Sequence, residues 1–272
     1  LTPDQAARLQ NAFTLLQSNK PREAIAAARA VCSQAPLSPD ALHLLAICLG
    51  AVADPSAESA FRRAQQLAPK NAQILTNFAN FLTRAGRTPE ALTLYRQAVS
   101  SSPAFLDAWL NYGLAANKAG ETLTAIAALE QAIKLRPDSA TAWQGLGNAR
   151  RNNDDYVGAE AAFRRSVEID PRNGLGWLNL GVILRLLGDP SGSLECYQQA
   201  RRTGFSGPEL EDSEASARCD LGDHEAALAQ VRALVKSAPG YTPGHELMAH
   251  ILWEYGDLLA PGEDAAESFA QA

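Results

Sequence analysis

Trp109, Trp143 and Trp177 stand 34 residues apart, twice in succession, and this interval constrains the chain more than any other feature. Pro69, Pro103, Pro137 and Pro171 keep the same interval, as do Gly113, Gly147 and Gly181. Three residue types held in phase this long define a repeated supersecondary unit rather than one globular core. Such a unit cannot bury an apolar face alone, so successive units must stack on one another.

The residues within the unit follow from that requirement. Gly or Ala at the eighth position (Ala79, Gly113, Gly147, Gly181) lets a second helix come close to the first. Ala at the twentieth (Ala24, Ala57, Ala91, Ala125, Ala159, Ala227) answers it from the other side. Phe61, Tyr95, Phe163 and Tyr197 fill the groove between helices, and the tryptophans pack where repeats meet. Gly86, Gly120, Gly188 and Gly222 supply the left-handed residue that ends a first helix. Pro21, Pro55, Pro89 and Pro190 begin second helices, where a missing N–H costs nothing. The closing proline pushes its predecessor out of the helical region and stops the second helix.

The order Trp143, Leu146-Gly147, Ala159, Phe163, Pro171 resembles the tetratricopeptide repeat (TPR) family, and the resemblance extends over nearly the whole chain. It implies an all-α fold: a right-handed superhelix (an α-solenoid) of about seven helix–turn–helix repeats plus a partial eighth. With the recurring proline as end mark, the repeats are 5–38, 39–71, 72–105, 106–139, 140–173, 174–207, 208–241 and a partial 242–272. They are expected to form a single array over 1–272 with one continuous core. The second repeat is one residue short, with the deletion placed in its central turn near Ala53.

The seventh repeat departs from this grammar. Phe205 replaces the closing proline before it, Glu211 sits at the tryptophan position and Glu214 at the leucine position. With fewer apolar groups to bury, the joint Arg202–Pro208 is expected to be the weakest stacking contact. In the eighth unit a first helix over His245–Tyr255 is followed by an insertion, Leu259-Ala-Pro-Gly262, and by Ala265 and Phe269 at second-helix spacing. This end lacks a polar capping helix, which points to a longer native protein or a partner covering it, and makes self-association feasible.

Net charge is −6 and the pI about 5.3, which argues against nucleic acid as partner. Residues 1–204 carry 21 Lys+Arg against 17 Asp+Glu, whereas 205–272 carry 3 against 13. Cys32, Cys48, Cys196 and Cys219 form no Cys-x-x-Cys pair and read as reduced packing residues, as expected in the cytoplasm. The longest apolar run, Leu44–Ala53, falls short of the roughly 20 residues a membrane span needs.

No catalytic, metal or cofactor site is expected. In His245-Glu-Leu-Met-Ala-His250 the histidines stand five apart, which turns the second about 140° from the first, whereas a zinc-protease helix needs a spacing of four. No phosphate loop or nucleophile elbow occurs, and Asp138 and Asp154-Asp155 read as turn and cap residues.

The better signal lies on the first helices, whose second, fifth, sixth, ninth, twelfth and thirteenth positions face the concave surface in the family. The sixth position holds Asn77, Asn111 and Asn179, interrupted by Gly145, and the ninth holds Asn80 and Asn148. One or two turns on stand Arg84, Lys118, Arg151 and Arg185. A carboxamide donates and accepts at once, so such a row can pair with the backbone of an extended peptide while the cations attract acidic groups. The row is similar to the asparagine ladder in the repeat region of O-linked N-acetylglucosamine transferases. The same asparagines could equally serve local hydrogen bonds. The carboxylate clamp of chaperone-tail adaptors is not matched, since Thr76, Thr141 and Gly145 stand where its cations belong. Regular phase assigns three tryptophans to packing; Trp253, out of phase, is expected to be exposed.

The resemblance therefore implies a non-enzymatic scaffold that binds an extended, polar or acidic protein segment. Neither nucleic acid nor membrane is expected as a partner. The alternative is the substrate-recruiting or oligomerising arm of a larger enzyme, a transferase or iron/2-oxoglutarate oxygenase, as in bacterial proteins with such arrays.

Overall fold

A computed structural model describes residues 1–259, with side chains as far as Tyr255. The described chain is all-α, with fifteen helices packed in sequential pairs, and it falls into two compact units, Leu1–Pro137 and Asp138–Ala272. Unit 1 contains α1 (Pro3–Gln17), α2 (Pro21–Gln34), α3 (Pro39–Ala51), α4 (Ala57–Leu67), α5 (Ala72–Arg84), α6 (Thr88–Ser101), α7 (Leu106–Lys118) and α8 (Thr122–Leu135). Unit 2 contains α9 (Ala140–Arg151), α10 (Tyr156–Ile169), α11 (Gly174–Leu186), α12 (Pro190–Arg202), α13 (Pro208–Asp220), α14 (His224–Ser237) and α15 (Thr242–Leu259).

Within each unit every first helix with a described second helix packs most extensively on it, and α15 packs on α14. In unit 1 the first helices also touch one another in order, α1 on α3, α3 on α5 and α5 on α7; in unit 2 α11 meets α13 and α13 meets α15. The glycines of the eighth position make the hairpins close. A Cβ on Gly113 would stand 2.5 Å from Leu129, on Gly147 2.7 Å from Phe163, and on Gly181 2.4 Å from Tyr197. These distances are far inside van der Waals contact, so only glycine fits. Phe163 and Tyr197 are fully buried as a result. In unit 1 the same groove is filled by Phe61, whose ring stacks on Phe78 at 5.3 Å.

First helices end as the glycines predict, with Gly86, Gly120, Gly188 and Gly222 at φ of +78°, +79°, +84° and +82°. Repeats without that glycine adopt the same left-handed turn with Asn19, Ala53 and Asp154, at φ of 57°, 55° and 58°. For Ala53 this conformation costs about 1–2 kcal/mol. Pro21 and Pro190 open α2 and α12, and Pro89 is the second residue of α6. Pro55 does not begin a helix: it lies in a turn, and α4 starts at Ala57. The turn after α3 runs from Val52 to Ser56, and α4 starts four residues after Ala53, whereas α6 starts two residues after Gly86. The residue missing from the second repeat thus comes at the expense of the start of α4.

The seventh repeat is joined by polar rather than absent contacts. Glu214 is 5% exposed and takes a two-point bond from Arg201, at 2.9 and 2.8 Å, while Gln230 donates to it at 2.9 Å. Burial pushes the Glu214 carboxyl up, but bonds from Arg201 and Gln230 and the charge of Arg201 outweigh this and hold it below the usual range. Phe205 lies against the start of α11, where a Cβ on Gly174 would meet it at 2.3 Å, and Leu210 is fully buried. The joint at 202–208, expected to be the weakest stacking contact, is ion-paired over an apolar floor. In the eighth unit α15 outruns the helix read from sequence, and the reading of residues 260–272 lies outside the described residues. Cys32, Cys48, Cys196 and Cys219 are free thiols. Burial pushes Cys48 and Cys196 up to about 11.

Gly181→Ala should cost about 2 kcal/mol through overpacking against Tyr197, despite the better helix propensity of alanine. Ala53→Gly should stabilise by up to about 1 kcal/mol by relieving the left-handed turn. Urea unfolding followed by circular dichroism measures both. A stabilised Gly181→Ala protein would mean that the hairpin has room to open.

Candidate functional site

Helices α5 and α7 carry the same three-residue stripe. On α5 it is Asn77, Asn80 and Arg84; on α7 it is Asn111, Leu114 and Lys118. Spacings of three and seven place all three residues on one helix face. These six residues, with Phe13 of α1, Ile47 of α3 and Tyr95 of α6, line a cleft of about 660 Å³ in unit 1. Five of the nine residues singled out from the sequence thus meet in one cavity. Arg84 and Lys118 are the final residues of α5 and α7, where the helix dipole favours a cation. Neither forms an ion pair among the described residues, and no lining residue is acidic.

Two of the three amides are already held. Asn77 donates through Nδ2 to Nε2 of His43 at 3.0 Å, and Asn80 accepts through Oδ1 from the Tyr95 hydroxyl at 2.5 Å. His43 is 9% exposed, and burial outweighs the nearby Asp40 charge to depress its pKa to about 4. The imidazole is therefore neutral at pH 7 and can accept. The local-bond reading of these asparagines is realised here, but each keeps one group over: Oδ1 of Asn77 as acceptor and Nδ2 of Asn80 as donor. Asn111 makes no side-chain hydrogen bond among the described residues, so its whole amide is available.

In unit 2, Asn148 on α9 and Asn179 on α11 are half-buried, and Gly145 is buried in the row between the amides. The two arginines are placed differently from their unit-1 counterparts. Arg84 and Lys118 occupy the thirteenth position of their repeats, but Arg151 and Arg185 the twelfth, about 100° further round the helix. Arg185 faces α13 and pairs with Asp220 at 3.1 Å. That ion pair occupies its guanidinium, whereas Arg84 and Lys118 form none among the described residues.

The sequence reading missed the apolar part of the cleft. Phe13, Ile47 and Leu114 all occupy the ninth position, in the row where only Asn80 and Asn148 drew notice. The tryptophans have a duty beyond packing. The indole N–H of Trp109 donates to the carbonyl of Pro103 at 2.8 Å, and that of Trp177 to Pro171 at 2.9 Å. His245 stands at the same repeat position and donates through Nε2 to Pro239 at 3.0 Å, likewise six residues back. That bond commits the first histidine of the His-Glu-x-x-x-His stretch to a structural role. Trp253 is 75% exposed, as expected.

Paired helices of this size, closed at a small residue and stacked through their first helices, define a helical-hairpin repeat protein. The profile of the "Cilia and flagella-associated protein 70 middle TPR-like domain" matches residues 55–204, more than half of the chain, and a tetratricopeptide repeat profile matches 9–72. The chain belongs to the tetratricopeptide repeat family. No curated protein matches it. Among solved structures it is similar to PilF of Pseudomonas aeruginosa, at 20% identity and TM-score 0.69, over 78% of this chain and 97% of that one. PilW, described as a widely conserved type IV pilus biogenesis factor, matches at 21% identity and TM-score 0.69, over 78% and 98%. A chain of the APC/C hetero-tetramer Cut9–Hcn1 matches at 16% identity and TM-score 0.68, over 89% of this chain and 48% of that one. Likeness at these identities establishes the fold alone. No described helix is long and apolar enough to cross a membrane.

His43 gives a pH signature. Its folded pKa of about 4 lies below its ordinary value of 6.5, so between these values only the unfolded chain takes up the proton. Stability is therefore complete above pH 6.5 and falls as the pH drops toward 4. Between pH 7 and pH 5 the loss should be about 2 kcal/mol larger in the wild type than in His43→Gln. Urea midpoints at the two pH values check this, and equal losses in both proteins would show that His43 protonates freely in the fold.

Proposed function

We propose that the protein is a non-catalytic interaction module that holds an extended segment of a partner protein against its first helices. The observation that carries this reading is the unit-1 cleft, where, among the described residues, α5 and α7 offer a free acceptor, a free donor, a free amide and two unpaired cations, with no acidic residue in the lining. An extended backbone presents N–H and C=O groups in alternation, and the remaining groups of Asn77, Asn80 and Asn111 can pair with both kinds. Arg84 and Lys118 favour polar or acidic segments over basic ones. Asn148, Asn179 and Arg151 offer a second stretch of the same chemistry in unit 2. The similarity to a chain of the Cut9–Hcn1 hetero-tetramer, an assembly of two kinds of protein, is consistent with a role in assembly. The asparagine ladder of O-linked N-acetylglucosamine transferases is the likeness for this mode of grip.

The reading is tested by capture from the source lysate, comparing the wild type with Asn111→Ala/Lys118→Ala by mass spectrometry. Neither side chain has a hydrogen-bond or ion-pair partner among the described residues, so the melting temperature should be unchanged. Loss of a hydrogen bond and a charge contact should cost about 2 kcal/mol of binding, roughly thirtyfold. Capture of the same proteins by both baits would place recognition on another face.

A further inference from the structure

The cleft has a second wall, and its chemistry changes along the row of repeats. The ninth positions of the four first helices are Phe13, Ile47, Asn80 and Leu114, and all four line the cavity. The thirteenth positions, in the same order, are Gln17, Ala51, Arg84 and Lys118. Since α1 packs on α3, α3 on α5 and α5 on α7, chain order is also spatial order. The end over α1 and α3 is thus apolar and uncharged, and the end over α5 and α7 combines amides with two cations.

Resting on the peptide-groove reading, we propose that the cleft selects a partner segment with a bulky apolar side chain at one end and carboxylates at the other. The two ends of the segment lie over α1/α3 and α5/α7 respectively. Phe13 is 41% exposed and faces, with Ile47, a cavity large enough for side chains, and covering them removes apolar surface from water. Leu114, on α7, adds only a lone apolar spot between Asn111 and Lys118. Arg84 and Lys118 stand at equivalent places on neighbouring helices, so a carboxylate between them gains two charge-assisted bonds. A basic segment would bring like charge to that end, and a wholly polar one would leave the apolar end in water. Backbone bonding alone would tolerate any sequence; the graded wall does not.

The test is selection from a displayed library of random peptides of about twelve residues, the extended length that crosses several repeats. Baits are the full chain, Arg84→Glu/Lys118→Glu and Phe13→Ser/Ile47→Ser. The wild type should enrich peptides with an aromatic or aliphatic residue at one end and Asp or Glu at the other. The charge reversal should exchange the acids for Lys or Arg and keep the apolar end. The serine variant should keep the acids and lose the apolar preference. A synthesised wild-type winner should bind each variant at least about tenfold more weakly. Winners that are acidic without an apolar residue, or apolar without an acid, would overturn this inference and leave the groove reading standing. If no enriched peptide depends on Asn111, the groove reading falls and this inference with it. Wild-type self-association in sedimentation that the charge-reversed variant lacks would give the cleft to a second copy and overturn the proposal.

Discussion

The contact between the eighth residue of a first helix and the side chain sixteen positions later sets the geometry on which the rest depends. Leu129, Phe163 and Tyr197 reach the places where Gly113, Gly147 and Gly181 have no side chain. Helices this close share a ridge and groove at a single point, and that point fixes their crossing. The first helix then uses one face for its own hairpin and its flanks for the first helices on either side. What remains open is a stripe at spacings of three and seven. On α5 and α7 that stripe carries amides and cations, so the candidate site is what the packing leaves uncovered.

Most of this was legible because periodic residues have periodic reasons. The glycines at positive φ and the prolines opening α2 and α12 could be read one position at a time. The departures could not, because each depends on a partner at another register. Glu214 looked like a lost contact, but its partner Arg201 stands thirteen residues earlier on α12, outside any repeat-to-repeat comparison. Pro55 looked like a helix start, but with one residue deleted beside it α4 begins only at Ala57 and Pro55 stays in the turn.

The site divides along the same line. The sixth-position row of asparagines and the cations on α5 and α7 were visible in register. That Asn77 and Asn80 are each half committed was not, since His43 and Tyr95 lie off the row. Phe13, Ile47 and Leu114 were in register at the ninth position, yet an apolar residue in a helix gives no sign by itself that it lines a cavity, because most such residues pack inside. Their exposure depends on the shape of the cavity, which no single helix encodes. Arg185 stands one position off the register of Arg84 and Lys118 and pairs with Asp220, which its place in the sequence row alone does not show.

Charge separates the two units further. Residues 1–137 carry 13 Lys+Arg against 9 Asp+Glu, and residues 138–272 carry 11 against 21. Long-range fields follow these sums within a screening length of roughly 10 Å at moderate salt. An acidic segment therefore gains at the cleft of unit 1 and loses near the carboxylates of unit 2. In α13 part of that excess is neutralised internally, Glu214 and Glu211 by Arg201 and Asp220 by Arg185, which takes cations out of reach of a ligand. The nine residues that share one repeat grammar consequently do not share one electrostatic environment. The grammar sets where a side chain points, and the charge of its own unit sets what it can hold.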